Sequence, residues 1–221
     1  MAIQSAVTRT IIKVPLDYLV CENDVPIFLP ILADFIKQHA DTTGIFRISG
    51  DQATVLKINE ALAQHVPGLP EKISPHDAVS FLKLWLKVLP EPLVTPTIFN
   101  SSYIPNDISS IYLIMSKLAP RNRHCFAFII SILKSILDNT NKNKMPLGNL
   151  VVCFSNSLTQ DNKGLRQWFP LGQFYEYLVP FLNEDGSDFA LGVMSTSGRT
   201  SDNSAFSPIS LSYNSQSIHV K

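Results

Sequence analysis

Hydrophobic residues recur every three or four positions along most of this chain, the spacing that places them on one face of an α-helix. No stretch alternates between apolar and polar residues for long enough to require a β-sheet, so the sequence predicts an all-α fold. The pattern predicts helices over residues 26–38, 51–65, 75–88, 108–117, 122–137, 149–158 and 172–182.

Prolines and a serine define the limits of several of these helices. Pro26 opens the first one, since proline is well tolerated in the first helical turn. Ser74 is a suitable N-cap for the third helix and is followed by Pro75 at the first helical position. Pro90 and Pro92 then end that helix.

The two ends of the chain differ from its helical middle. Residues 8–24 lack a helical pattern and predict an irregular N-terminal arm that contacts the body through Val14, Pro15 and Leu16. From about residue 184 to 221 the sequence is serine-rich, weakly hydrophobic and without a period. Such a segment cannot bury enough apolar surface to become ordered. We therefore expect one helical domain over 8–183 and a flexible tail over 184–221.

Composition narrows the class of partner. Lys+Arg and Asp+Glu both number 18, so no overall charge favours nucleic acid or an anionic membrane.

The densest apolar run, Phe126 to Leu133, is too short to span a bilayer, and Met1 to Val7 lacks the features of a secretion signal. Three widely spaced cysteines suit a reducing compartment. These features predict a soluble, cytoplasmic protein.

A charged residue interrupts an apolar segment at Gly44–Gly50, which we call the arginine loop. Arg47 lies between Phe46 and Ile48, and the glycines at both ends allow sharp backbone turns. One interpretation is that the loop presents the guanidinium to a partner. An equally good one from these residues alone is that Arg47 lies along the edge of the core and pairs with Asp51.

Two lysines lie four residues apart in the mostly apolar third helix. Lys83 and Lys87 share one face, and like charges at this spacing destabilise an isolated helix by a few tenths of a kcal/mol. Both could simply reach solvent past a buried helix. Alternatively, they form a cationic surface for an acidic partner or a phosphate.

Two asparagines flank the start of the helix predicted at 149–158. Asn149 is well placed as its N-cap, and local sequence favours this structural role. Asn143 could be an ordinary loop residue in the polar connection 138–144.

Motifs of an independent enzyme are missing from the sequence. The five histidines show no metal-ligand spacing with the cysteines, and there is neither a phosphate-binding glycine loop nor a nucleophile elbow. The sequence therefore predicts no metal site and no cofactor of its own.

Several segments, in this order and spacing, resemble the Rho-family GTPase-activating domain, RhoGAP. The resemblance covers about 170 residues, which is close to the usual size of one domain. It rests on Val14-Pro15-Leu16, Gly44–Gly50, His76–Leu93 with its Leu-Pro-Glu-Pro-Leu ending, Pro120-Arg121-Asn122, Asn143-Lys144-Met145 and Asn149-Leu150.

The resemblance implies a helical domain, expected to be a monomer, that binds a GTP-loaded Rho- or Rac-type GTPase. Arg47 would be the arginine finger that enters the partner's nucleotide site, and Lys83 would support the arginine loop and the partner's switch region. Lys87 would contact the partner, and Asn143 and Asn149 would form hydrogen bonds around the interface. The GTP and magnesium would belong to the GTPase, which could also recruit the domain to membranes.

The sequence departs from the family pattern at three places. Lys87 stands where an arginine is usual, Thr43 replaces a common acidic residue, and Phe154-Ser155-Asn156 replaces a Phe-Gly-Pro segment. Lysine keeps the charge but loses the planar fork of arginine, so affinity or partner choice could differ. The alternative to an activator is an adaptor that binds GTPases without stimulating hydrolysis, although adaptors of this fold often lack the arginine.

Overall fold

The computed structural model describes residues 10–102 and 109–160. The helix predicted at 172–182 and the tail predicted at 184–221 lie outside the described residues. A short 3-10 helix at Leu16–Tyr18 precedes a minimal antiparallel hairpin of β1 (Cys21–Glu22) and β2 (Val25–Pro26). The α-helices in the described part are α1 Phe28–Gln38, α2 Gln52–Leu62, α3 Pro75–Lys87, α4 Pro96–Ser102, α5 Ser109–Lys117, α6 Pro120–Asp138, α7 Thr140–Asn143 and α8 Leu147–Thr159.

The predicted helical architecture is confirmed, and the differences are local. Pro26 belongs to β2, where it lies opposite Cys21, so α1 begins at Phe28. Helix α4 was not predicted because seven residues carry too little periodicity to stand out. Helix α7 is a single polar turn inside the predicted loop 138–144. All four residues of α7 are polar, so the hydrophobic pattern of the sequence does not indicate this helix.

Helix α3 lies at the centre of the fold, in contact with α1, α2 and α8. It begins as predicted, because Ser74 accepts a hydrogen bond from the Asp77 backbone and Pro75 occupies the first turn. Trp85 is fully buried, and its ring meets that of Phe28 edge to face at a centroid distance of 5.1 Å. This core fixes α3 as a rigid support for polar side chains on its remaining face.

The Pro120-Arg121-Asn122 motif fastens separate parts of the chain. Arg121 donates to the carbonyl oxygen of Leu16 at 3.1 Å and lies 3.7 Å from the Asp17 carboxylate. Asn122 donates to the carbonyl oxygen of Leu93 at 3.1 Å. The motif is therefore structural, since it joins the N-terminal arm and the segment after α3 to the start of α6.

Candidate functional site

The arginine loop connects α1 to α2 and adopts an uncommon backbone conformation. Gly44 and Phe46 both have positive φ, of 71° and 68°. A Cβ at Gly44 would lie 2.8 Å from Cδ1 of Ile48, so this position needs glycine for both space and conformation. Phe46 is only 1% exposed, and its ring meets Phe154 of α8 edge to face at 5.5 Å. The buried ring holds the unfavourable backbone conformation in place.

The arginine loop is held at its first residue, Gly44, and at Phe46, the residue just before Arg47. The Gly44 amide donates to the carbonyl oxygen of Asn143 in α7 at 2.7 Å. Lys83 Nζ of α3 donates to the carbonyl oxygen of Phe46 at 3.1 Å. The peptide that leads into Arg47 is therefore held by elements distant in sequence.

The end of the arginine loop is fixed against the first turns of α3. The Gly50 amide donates to Ser80 Oγ at 2.8 Å, and the Asp51 amide donates to Asp77 Oδ1 at 2.7 Å. The loop is thus anchored before, beside and after Arg47, whose side chain is exposed. Because the backbone is already fixed, only the side chain of Arg47 would have to be ordered when it meets a partner.

The alternative pairing of Arg47 with Asp51 is wrong. The Asp51 carboxylate instead caps α2, accepting the backbone amide and the hydroxyl of Thr54 at 2.8 Å each. These hydrogen bonds, first the backbone one and then the side-chain one, lower the pKa of Asp51. Ion pairs within 10–102 and 109–160 do not include Arg47.

The two lysines of α3 occupy different environments. Lys87 is exposed in the last turn, as the solvent-exposed alternative predicted, and its charge faces outward. Lys83 is half-buried and holds the Phe46 carbonyl, so that alternative is wrong for Lys83. Burial lowers the pKa of Lys83, and the nearby Cys153 of α8 opposes this change. A partly desolvated ammonium is costly to keep and suits a functional position.

Asn143 is a structural residue of the site, and its interpretation as an ordinary loop residue is wrong. Its side chain is fully buried, donating to the carbonyl oxygens of Ala40 at 2.8 Å and Ile136 at 2.6 Å. Its Oδ1 accepts the Met145 amide at 2.8 Å. Its backbone carbonyl oxygen accepts the Gly44 amide at 2.7 Å, so Asn143 contacts the arginine loop from inside the fold.

Asn149 lies on the surface of α8 and does not cap it. The N-cap is Pro146, so the capping interpretation is wrong, and the Asn149 side chain is exposed in the first turn. Val152 lies three residues further on, on the same face, and is 50% exposed. These residues leave a polar and an apolar side chain exposed on α8, the helix that packs against α3 and carries Cys153 near Lys83.

Two further residues near these side chains, Asp77 and Val152, are not singled out by the sequence pattern. Asp77 belongs to the capping box of α3 and also accepts the Asp51 amide at the end of the arginine loop. Val152 belongs to an apolar helix pattern, and no local signal distinguishes its exposed position from a buried one. The motif Ser74-Pro75-His76-Asp77 could have indicated a buried carboxylate, but not its second contact.

The described ranges offer neither a cluster of metal ligands nor a membrane-spanning helix. In 10–102 and 109–160, histidine, cysteine, aspartate and glutamate form no group of three or more that could hold a metal ion. Over the same residues, every helix is too short or too polar to cross a membrane.

Comparison with protein families and solved structures gives a consistent result. The model of the RhoGAP domain matches residues 26–163. Human Rho GTPase activating protein 15 superposes with a TM-score of 0.67 at 24% identity, covering 80% of this chain and 92% of that one. The BH domain of Graf, the GTPase regulator associated with focal adhesion kinase, superposes with a TM-score of 0.57 at 19% identity, covering 74% and 95%. At these identities the two structures support the fold.

Sequence relatives match over one part of their length. Rho GTPase-activating protein gacJJ of Dictyostelium discoideum is 28% identical over 173 residues, which cover 72% of this chain and 20% of the relative. Rho GTPase-activating protein 18 of Mus musculus is 27% identical over 142 residues, covering 60% and 21%. The chain therefore spans about a fifth of the length of these curated relatives.

Proposed function

Because this chain belongs to the RhoGAP domain family, we propose that it binds a Rho- or Rac-type small GTPase in its GTP-bound state and accelerates GTP hydrolysis. Arg47 is the arginine finger in this proposal. The protein supplies one positive group to a reaction that takes place on its partner and has no catalytic activity alone. The GTPase supplies the nucleotide, the magnesium ion and the attacking water.

The observation that carries this proposal is the exposed guanidinium of Arg47 on a backbone anchored at three points. Charge that develops on the transferring phosphoryl group is best stabilised by a donor that is already in position. Arginine suits this task because its guanidinium is planar, always charged and able to donate two parallel hydrogen bonds. The presence of an arginine at this position favours an activator over an adaptor that only binds, because adaptors of this fold often lack it.

The surrounding surface supports a protein partner. Lys83 connects α3 to the arginine loop. Cys153 of α8 is close enough to raise the pKa of Lys83. Lys87 on α3 and Asn149 on α8 are exposed near this junction. We assign Lys87 and Asn149 to direct contact with the GTPase, Lys83 to both loop support and contact, and Asn143 to loop support.

The domain would extend over 8–183, with 184–221 as a flexible tail, and would act as a cytoplasmic monomer that its GTPase can bring to membranes.

The central test is a single-turnover hydrolysis assay with a panel of purified Rho-family GTPases. We expect the wild-type protein to accelerate hydrolysis by at least one of them. An absence of acceleration across the panel, combined with retained binding, would favour the adaptor.

Replacing Lys83 with methionine should separate activity from stability. The substitution keeps an unbranched side chain that is only one atom shorter but removes the hydrogen bond to the Phe46 carbonyl. Because a misplaced catalytic group is costly, we expect the stimulated rate at saturating protein to fall by about tenfold to a hundredfold. Loss of a half-buried charge offsets loss of the hydrogen bond, so the free energy of unfolding should change by no more than about 1 kcal/mol.

Single-turnover hydrolysis and urea denaturation measure these two quantities for Lys83→Met. Lys134→Ala is the matched control, since Lys134 forms a local ion pair with Asp138 within α6. A Lys83→Met protein that stimulates hydrolysis as well as Lys134→Ala would remove Lys83 from the mechanism.

Replacing Lys87 with alanine should weaken association without changing the chemical step. Lys87 is exposed, so its attraction to an acidic partner is screened by salt. We expect affinity for the GTP-analogue-bound partner to fall by about two- to fivefold at low ionic strength, with a flatter salt dependence. Titrations at several salt concentrations measure this, and identical curves for Lys87→Ala and wild type would show that Lys87 is only a solvated lysine.

A further inference from the structure

We propose that Asp77 is a positioning residue for Arg47: its carboxylate joins the first turn of α3 to the end of the arginine loop. The proposal rests on the function proposed above and adds a residue that contacts neither the nucleotide nor the partner. Asp77 would act through the backbone of residues 50 and 51.

The two oxygens of Asp77 serve different segments. Oδ1 accepts the Asp51 amide at 2.7 Å, where the arginine loop passes into α2. Oδ2 accepts the Ser74 amide at 2.8 Å and the Ser74 hydroxyl at 2.7 Å, which completes the N-terminal cap of α3. A carboxylate needed only for capping would use the second set alone. The first contact therefore has a separate consequence, which is to fix the end of the loop.

Close packing at Gly50 reinforces this contact. A Cβ on Gly50 would lie 2.5 Å from the Cα of Asp77 and 2.7 Å from its backbone nitrogen. Because these atoms belong to the backbone of α3, they cannot move aside as a flexible side chain could. The Gly50 amide also donates to Ser80 Oγ at 2.8 Å, one turn further along α3. The loop end thus lies directly on the first turns of this helix.

The environment of Asp77 favours its charged form. The residue is 7% exposed, and this burial alone would raise its pKa. Hydrogen bonds from the Ser74 side chain, the Ser74 backbone and the Asp51 backbone outweigh burial and lower the pKa. Hydrogen bonds to an ionised acceptor are roughly twice as strong as neutral ones, so the carboxylate can hold both segments firmly.

Arg47 lies only three residues before Gly50, so a shift at the loop end changes where its guanidinium reaches. A displacement of about 1 Å at a catalytic group can lower a rate by about a hundredfold. Binding of the partner depends on a wider surface, which includes Lys87 and Asn149, and should be affected much less. The proposal therefore predicts a loss of catalytic rate at nearly constant affinity.

The test compares Asp77→Ala with Ser74→Ala in the full chain. Both variants disrupt the capping box of α3, but only Asp77→Ala removes the contact with the Asp51 amide. With a GTPase that the wild type stimulates, Asp77→Ala should lower the single-turnover rate at saturating protein by about tenfold to a hundredfold. Its affinity for the GTP-analogue-bound GTPase should stay within about twofold, and Ser74→Ala should keep most of the rate.

Two further variants keep the test decisive if Asp77→Ala does not fold. Asp77→Asn retains one oxygen that can accept the Asp51 amide, but its NH2 group cannot accept the Ser74 amide, so it should recover only part of the rate lost in Asp77→Ala. Gly50→Ala forces the loop end away from α3 while leaving Asp77 and Ser74 in place, and should lower the rate without loss of affinity. The proposal would be overturned if Asp77→Ala and Gly50→Ala both kept the wild-type rate. If Asp77→Ala does not fold, a wild-type rate in Gly50→Ala alone would overturn it.

Amide hydrogen exchange of peptides covering residues 45–51 tests positioning without any partner. Exchange should be faster in Asp77→Ala or Gly50→Ala than in Ser74→Ala. Equal exchange in these variants would overturn the positioning role, even if the wild type accelerates a GTPase. If the wild type accelerates none, the proposed function fails by itself and the exchange result alone decides the role of Asp77 in the loop.

Discussion

Replacing Arg47 with alanine will abolish most of the stimulated GTP hydrolysis while leaving binding to the GTP-loaded partner nearly intact. An arginine supplied in trans to a GTPase is worth about 10³- to 10⁵-fold in rate, or roughly 4 to 7 kcal/mol of barrier. Arg47 is exposed and makes no ion pair among the described residues, so its removal should not disturb the surrounding structure. Single-turnover hydrolysis at saturating protein measures the loss.

A second substitution separates charge from geometry at the same position. Arg47→Lys retains a positive charge but not the planar, two-pronged donor, so it should recover only a small part of the rate. Binding of each variant to a GTPase loaded with a non-hydrolysable GTP analogue provides the control. Unchanged stimulation by Arg47→Ala would remove this residue from the mechanism. Loss of binding in parallel with loss of rate would instead indicate a contact residue.

Replacing Asn143 with alanine will destabilise the whole fold, by about 3 kcal/mol. The change leaves the buried Met145 amide and the Ala40 carbonyl without the hydrogen bonds that Asn143 supplies, whereas the Ile136 carbonyl keeps the one from the Asn139 amide. Each buried polar group left unpaired costs about 1 to 3 kcal/mol, although water that enters the space can recover part of this. For a chain of this size the melting temperature should fall by about 6 to 12 °C.

Urea denaturation and thermal melting measure the effect of Asn143→Ala. Asn141→Ala is the matched control, because Asn141 lies in the same helical turn but is exposed. The control should change the free energy of unfolding by about 0.5 kcal/mol at most. If the two variants melt together, the buried hydrogen bonds of Asn143 do not contribute as proposed.

Local signals were sufficient for much of the helical architecture. Ser74 and Pro75 mark the start of α3 correctly, because capping depends on residues within one turn. Helical periodicity likewise indicates α2 and α6. Helices that lack such local signals were missed. Helix α7 is one polar turn, and its position is determined by buried hydrogen bonds rather than by an apolar face.

The candidate site was only partly accessible to sequence reasoning. The pattern at Gly44–Gly50 singled out Arg47, but whether it pairs with Asp51 could be decided only once Asp51 was seen to cap α2. Asn143 donates to the carbonyl oxygen of Ala40, which lies 103 positions earlier in the chain. Asp77 accepts the amide of Asp51, 26 positions earlier. Such contacts leave no periodic or local trace in the chain, so these two supports of the arginine loop could not be predicted, whereas the support from Lys83 was implied by the family resemblance.

The contact between the Gly44 amide and the Asn143 carbonyl also has a consequence for biosynthesis. The ribosome produces Gly44 long before Asn143, and at ordinary elongation rates the interval is about 5 to 20 s. During that interval the nascent polypeptide already carries Arg47 but lacks α7 and α8, on which its geometry depends. In the proposed function, stimulation of a GTPase therefore requires that α8 has left the exit tunnel and packed against the rest of the domain.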